Sequence, residues 1–342
     1  MKITRYEIDL LSVGAADACL IHFFNDENNK SYTILIDAGN YSDGKEVSDF
    51  IKLRYPNHFI DLAICTHCDA DHFGGFIYLL EQIEENVSGC ITIGKMLVDD
   101  PGNHVSSDEV KRYRLQTSVE KEAREVFSLD DGRNLFDMLN KAKVQYEEAF
   151  SDSNYSHLDN HIEIVAPTEA YYEQLVYSFR NKLQAYNDED SDSDDAIVTP
   201  YNGKVFSLIL DKTSDDASAH NQSSMMVLFK PDDDKKYLFM GDAGRDAFAN
   251  MDEIDMKSIA NITWLKVPHH GSKHNMSNEM INHIRPKIAY ISAEKYGKYI
   301  SQAIVGALKK AGSKVYSTYK SGNLWYHNCI NDRDDYFPAT PL

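Results

Sequence analysis

The sequence predicts an α/β protein with many strands. Short apolar runs, such as Asp61–Thr66, read as buried strands. Toward the C-terminus, helix-like stretches at 277–284 and 300–311 alternate with strand-like ones at 287–292 and 313–318. The chain shows no internal repeat and no coiled-coil period.

Residues 3–39 read as two or three strands: Arg5–Leu11, Ala18–Phe24 and, after the turn Asn25–Lys30, the return Tyr32–Asp37. Glu46–Arg54 reads as a short helix, 61–66 as a strand and 73–86 as a helix, together a first βαβ-like half. Residues 100–150 are charged and helical in pattern, and Tyr171–Ala185 is another helical stretch. The segments at about 100–155 and 168–203 read as helical insertions, placed where a lid or a partner surface would sit. The core then resumes with strands at 204–211, 224–230 and 236–240. One domain spanning residues 1–342 is the expectation.

The composition narrows the function. The hydrophobic fraction of 42% is ordinary for a folded soluble chain. No run of about 18 apolar residues predicts a membrane helix. The N-terminus opens on strand-like alternation without a signal peptide's apolar core, so a cytoplasmic location is expected. The five cysteines are odd in number, and the apolar settings of Cys19 and Cys65 predict buried, reduced thiols. The net charge of −19 argues against a broad basic surface for phosphate contacts. Part of the excess lies in Asp188–Asp195, a run that lacks the Gly and Glu of a calcium loop and reads as solvated.

The most informative segment is His67-Cys68-Asp69-Ala70-Asp71-His72, followed by Phe73-Gly74-Gly75. It falls between an apolar strand and a helix. Two imidazoles and two carboxylates at this spacing suit two metal ions held side by side, the arrangement of metal-assisted hydrolysis. Such a cluster is costly to bury without a cation.

The pattern His-x-Asp-x-Asp-His resembles the metallo-β-lactamase superfamily, whose usual signature is His-x-His-x-Asp-His. Asp69 in place of the second His resembles the branch that contains the soluble hydrolase domain of the competence DNA-uptake protein ComEC. Further motifs follow in the order of that branch: Leu11–Asp17, Ile34–Gly39 with its Asp-x-Gly turn, Asn221–Ser224, the Gly241-Asp242 pair and His269-His270-Gly271-Ser272-Lys273. The resemblance implies an αββα sandwich of two mixed sheets with helices outside. It also implies a hydrolase that uses a hydroxide activated by a dinuclear metal centre.

Carried onto this chain, the resemblance puts His67 and Asp69 at one metal and Asp71 and His72 at the other. Asp242 bridges them. One of His269 and His270 is a ligand and the other lies near substrate. Asp37 accepts the second ring N–H of a metal-bound His, with Asp17 in a similar part. The superfamily's usual mid-chain His is missing; Asn221 and Ser224 stand in that region, with His220 beside them as a substitute. His104, His157 and His161 read as surface residues. Ser272, Lys273, Asn221, Ser224 and Lys298 are the candidate substrate contacts, with Lys266 and Lys295 flanking the metal mouth. Gly297-Lys298-Tyr299 departs from the branch's Gly-His-Pro. The cofactors expected are two divalent ions, Zn²⁺ or Mn²⁺. The expected activity is that of a phosphodiesterase or nuclease, with nucleic acid ahead of small diesters as substrate. The alternatives are another small-molecule hydrolase, acting on a cyclic nucleotide, lactone or phosphocholine-like ester, and a regulatory subunit that binds a protein partner through its insertions.

Overall fold

Two seven-stranded sheets face one another. The computed structural model describes residues 2–55, 57–105, 116–153, 155–179, 209–294, 300–328, 333 and 338–342. The first sheet is built from β1 (Ile3–Leu10), β2 (Cys19–Asn25), β3 (Lys30–Ile36), β5 (Leu62–Ile64), β7 (Lys95–Leu97), β8 (Gln145–Glu147) and β16 (Leu324–Asn328), in the order β16-β1-β2-β3-β5-β7-β8. The second has β9 (Ser156–His157), β10 (Ile162–Ala166), β11 (Met226–Asp232), β12 (Lys235–Phe239), β13 (Trp264–Lys266), β14 (Ile288–Ile291) and β15 (Lys314–Ser317), in the order β15-β14-β13-β12-β11-β10-β9. A small pair, β4 (Phe59–Ile60) and β6 (Thr92–Ile93), flanks the first sheet. Both large sheets are mixed: β1–β2–β3 and β10–β11–β12 run antiparallel, while β3–β5–β7–β8 and β12–β13–β14–β15 run parallel.

The alternation of side chains along each strand sends one set between the sheets and one set outward. Ile8, Phe23, Ile36, Phe229, Phe239 and Trp264 fill the space between the sheets. On the outer face of the first sheet, Leu35 and Met96 pack with residues of α1 (Gly44–Arg54), α2 (Ala70–Glu84) and α4 (Leu135–Ala142). On the outer face of the second, Leu238 and Leu265 pack with α6 (Asn278–Ile284) and α7 (Gln302–Lys310). The layers run helix, sheet, sheet, helix, as the resemblance implies. Among the described residues no helix is long and apolar enough to cross a membrane.

Some expectations need correction. The stretch 100–155 contains α3 (Gln116–Arg124) and α4, but it also supplies β8, which extends the first sheet in parallel with β7. Leu135, Phe136 and Leu139 of α4 are buried in that sheet's outer core. The segment is thus structural as well as helical. Within 168–203, α5 (Glu169–Val176) is a helix, and residues 180–203 lie outside the described residues with the acidic run Asp188–Asp195. Of the strand expected at 204–211, residues 204–208 also lie outside, and 209–211 are helical.

The approach of α2 to the first sheet depends on two glycines. A Cβ on Gly75 would lie 1.9 Å from the Ala38 carbonyl oxygen, and one on Gly74 would lie 2.5 Å from the Tyr41 nitrogen. Both obstacles are backbone atoms and cannot swing aside. Gly75→Ala is expected to cost about 1–3 kcal/mol, the usual range for overpacking. A urea titration should show a lower midpoint at unchanged slope. An unchanged midpoint would mean that α2 does not press on the 38–41 loop as described.

Candidate metal centre

The motif turn joins the end of β5 to α2. Asp69 is the helix N-cap, and Asp71 and His72 lie in the first turn. From the end of β3, Asp37 reaches this turn with left-handed backbone, φ 57°. Its carboxylate accepts hydrogen bonds from Thr66 N–H at 2.8 Å, the Thr66 hydroxyl at 2.8 Å and His72 Nδ1 at 2.8 Å. That last bond leaves the lone pair on His72 Nε2 for a metal, with Asp242 Oδ1 at 3.3 Å and Asp71 Oδ2 at 3.7 Å. The His67 ring lies beside it, 4.1 Å between centroids.

The second sheet supplies the opposite wall. Asp242 follows β12; its N–H donates to Ser224 Oγ at 3.0 Å, and its Oδ1 accepts from the His269 N–H at 3.1 Å. His269, His270 and Gly271 follow β13 with φ of 46°, 50° and 83°, three left-handed residues in succession. For the two histidines such backbone is strained. The turn sends the two rings to different places. His270 Nδ1 donates to the Ser292 carbonyl at 3.2 Å, and its Nε2 faces Asp71 Oδ2 at 3.3 Å. His269 Nδ1 is held among Asn275 Oδ1 at 3.0 Å, Asp216 Oδ2 at 3.3 Å and Asn221 Nδ2 at 3.3 Å. Its Nε2 points to Asp242 Oδ2 at 3.9 Å from the open side.

Among the described residues, three of the five donor groups bring the motif residues together with the second sheet's side. His67, His72 and Asp242 form one, Asp71, His72 and His270 a second, and Cys68, Asp69 and His220 a third. The geometry thus separates the pair that the sequence left open: His270 joins Asp71 and His72, and His269 stands at the cleft face of Asp242. Asp69 leans toward His220, with Oδ1 2.9 Å from its Nδ1, while Oδ2 stays 3.6 Å from His67 Nε2.

The donor set fits metal ions. Nε2 of His67 and of His72 are buried without a hydrogen-bond partner, a costly arrangement unless a cation takes their lone pairs. The charge pattern agrees. Burial pushes the carboxyls of Asp71 and Asp242 up, yet His72 with His270, and His72 with His269, bring them below the usual carboxylate range. Burial would lower His72, but Asp242, Asp37 and Asp71 raise it well above its ordinary value. His269 is raised to about 9 against its burial, by Asp242 and Asp216. His270 is lowered by burial, with Asp71 opposing. The carboxylates hold surplus negative charge that protons or cations must offset.

Several expected positions take other places. Lys266, expected at the mouth, is 2% exposed and sits behind the site. Its ammonium pairs with Asp17 and donates to the Gly241 carbonyl at 2.9 Å, 3.8 Å from Asp242 Oδ1. The central parallel strand β13 is covered on both faces, so its Lys cannot reach water. Ser224 is fully buried, its Oγ committed to the Asp242 amide, so it lies behind the cleft instead of in its wall. Asn221 and Ser272 line the cleft; Lys273 does not. His104, expected on the surface, is buried against Glu148 at 2.9 Å. His157 and His161 are likewise absent from the cleft lining. Lys295 and Lys298 lie outside the described residues. Asp216 and Asn275, which the motif reading missed, hold His269; an Asp five residues before the Asn-x-x-Ser motif was the available signal.

Residues 17–142 match the metallo-beta-lactamase superfamily. Over that stretch the chain is similar to the superfamily. It is also similar to ComE operon protein 3 of Bacillus subtilis (strain 168), 28% identical over 123 residues, which is 35% of this chain. The matched stretch spans 15% of that relative's own length. The superfamily match and the donor groups together support a metal-dependent hydrolase. The superfamily match ends at residue 142 and so includes the motif turn and Asp37, while Asp242, His269 and His270 come to the site through the fold.

Proposed function

We propose that this protein is a member of the superfamily that hydrolyses a phosphodiester at a dinuclear centre held by His67, Asp69, Asp71, His72, Asp242 and His270. The observation that carries the reading is the pair of buried, unpartnered Nε2 atoms of His67 and His72, grouped with Asp242, with His72 also facing Asp71. When bound, two divalent ions, Zn²⁺ or Mn²⁺, supply Lewis acidity and an activated water at neutral pH, a combination suited to in-line displacement at phosphorus. The chain's own residues do the rest. Asp37 fixes the tautomer of His72, and the Ser292 carbonyl fixes that of His270. Asp216 and Asn275 aim His269 Nε2 at the open side of Asp242, where it can give a proton to a departing oxygen. Asn221 and Ser272 offer polar groups in the cleft wall.

The cleft wall bears on the substrate. The cavity has a volume of about 1760 Å³ and is lined beyond the centre by Glu125, Asp130, Asp137, Asp215 and Asp216. Among the described residues its lysines and arginines are Lys121 and Arg124, and Arg124 is bonded to Asp100. A long polyanion gains little from such a wall. The reading therefore favours a compact diester, such as a nucleotide diester, ahead of nucleic acid. A regulatory role through a protein partner gains less support: among the described residues of 116–179, Tyr177 is the exposed large hydrophobic.

The test is the metal-stripped protein reloaded with Zn²⁺ or Mn²⁺ and offered bis(p-nitrophenyl) phosphate, a cyclic dinucleotide and single-stranded DNA. The expected result is turnover of the small diesters, restored by metal and only weakly dependent on salt. Preferred cleavage of DNA with a steep salt slope would overturn the substrate order. Bound metal without cleavage of any diester would overturn the phosphodiester reading.

A further inference from the structure

One donor group shares no residue with the centre or with the lining of its cleft: His104, Glu169 and Glu173, with one donor atom of each within 4.8 Å of the others. His104 closes the short helical turn Pro101–His104, which follows β7 of the first sheet. The two glutamates lie on α5, which follows β10 of the second. They are four residues apart and so share one face of the helix.

The imidazole is already fixed in place. His104 is 8% exposed, and the rings of Phe150 and Tyr172 meet it edge-on, each at 5.3 Å between centroids. Its Nε2 lies 2.9 Å from Glu148 Oε1. Glu148 is itself held by the Asp100 N–H and the Asn103 side-chain amide, each at 2.8 Å. A carboxylate on one ring nitrogen sets the tautomer and presents the lone pair of the other, the arrangement found behind metal-bound histidines. Here the other nitrogen, Nδ1, faces Glu173 Oε1 at 3.6 Å and Glu169 Oε1 at 3.9 Å. A tetrahedral ion with bonds of about 2.0–2.1 Å holds its donors roughly 3.3–3.4 Å apart. Both glutamate side chains are exposed and reach that spacing by small rotations. Charge points the same way. A proton on the ring offsets one of the three carboxylates around it, whereas a divalent ion on a neutral ring offsets two.

We propose that His104, Glu169 and Glu173 bind a structural Zn²⁺ ion outside the cleft. One imidazole and two carboxylates suit zinc and leave a fourth position for water. The ion staples the turn after β7 to α5, and so ties the first sheet to the second. Binding takes the place of a proton at Nδ1 and leaves the Nε2–H bond to Glu148 intact. The site is independent of the reaction performed in the cleft.

The test uses the full chain, stripped of metal and dialysed against Zn²⁺, as wild type and as the double variant Glu169→Gln with Glu173→Gln. The double variant is expected to hold one zinc ion fewer per chain and to turn over small diesters as wild type does. In wild type, zinc should convert the ¹⁵N signals of the His104 ring to those of a neutral imidazole with Nδ1 on metal and Nε2 protonated. The double variant should lose that response. Asp242→Ala should keep it while losing metal at the main centre, which separates the two sites. Equal zinc content in wild type and the double variant would overturn the proposal and leave the main centre standing. A His104 ring that stays an imidazolium in the presence of zinc would overturn it equally.

Discussion

Asp242→Ala is expected to abolish hydrolysis while leaving the fold in place. Its carboxylate faces His72 at 3.3 Å and His269 at 3.9 Å, and it belongs to the donor group with His67 and His72. Its loss removes a donor common to both sides of the centre. Metal-assisted stabilisation of a transition state is worth several kcal/mol, and each ~1.4 kcal/mol is tenfold in rate. A fall of about a thousandfold or more should follow, with metal content reduced in the same sample. Circular dichroism should stay close to wild type, because β12 and β13 are held by their own ladder and core. Asp71→Ala should behave alike through His72 and His270. Wild-type turnover in either variant, loaded with metal, would place the chemistry elsewhere.

Lys266→Met is expected to produce the largest loss of stability. Asp17 and Lys266 are 1% and 2% exposed, and their side chains pair directly. Asp17 Oδ1 already lacks a hydrogen-bond partner, so removing the ammonium leaves a buried carboxylate with little compensation. Breaking a buried pair from one side costs about 3–5 kcal/mol. Replacing both members by shape-matched neutral groups is far milder, so Asp17→Asn with Lys266→Met should recover much of the loss in urea titrations. A single-variant cost of only about 0.5 kcal/mol, the range of surface changes, would show that Lys266 is not buried behind the centre.

Much of the centre was legible because its donors are close in sequence. His67 to His72 lie on one turn, so strand and helix flanks were enough to place them. Asp37 was legible as a carboxylate at a strand end. What escaped notice depends on distant pairing. Asp216 and Asn275 meet His269 from separate loops, and no local pattern links the three. Lys266 misled because a charged residue reads as exposed, although its neighbours Trp264, Leu265 and Val267 mark a strand with no wet face. A lone Lys in such a run is better read as one half of a buried pair. The sheet edges were equally hidden: β16 joins β1 across more than three hundred residues, as in Tyr6 opposite Asn328, and β8 sits among helix-forming sequence.

The left-handed turn at His269, His270 and Gly271 bears on whether this constellation can be moved to another scaffold. The backbone there is uphill for two of its three residues. It persists because the turn is tied down from several directions: Ser272 N–H to the His269 carbonyl at 2.8 Å, Ser301 N–H to the Gly271 carbonyl at 3.0 Å, and Asn275 Nδ2 to the Asp242 carbonyl at 2.9 Å. A transplant of the His-His-Gly triplet alone would relax to ordinary backbone and misdirect both imidazoles. The portable unit is the triplet with its collar of Asp216, Ser272, Asn275 and Ser301. A designer borrowing this chemistry has to graft the restraints together with the reactive groups.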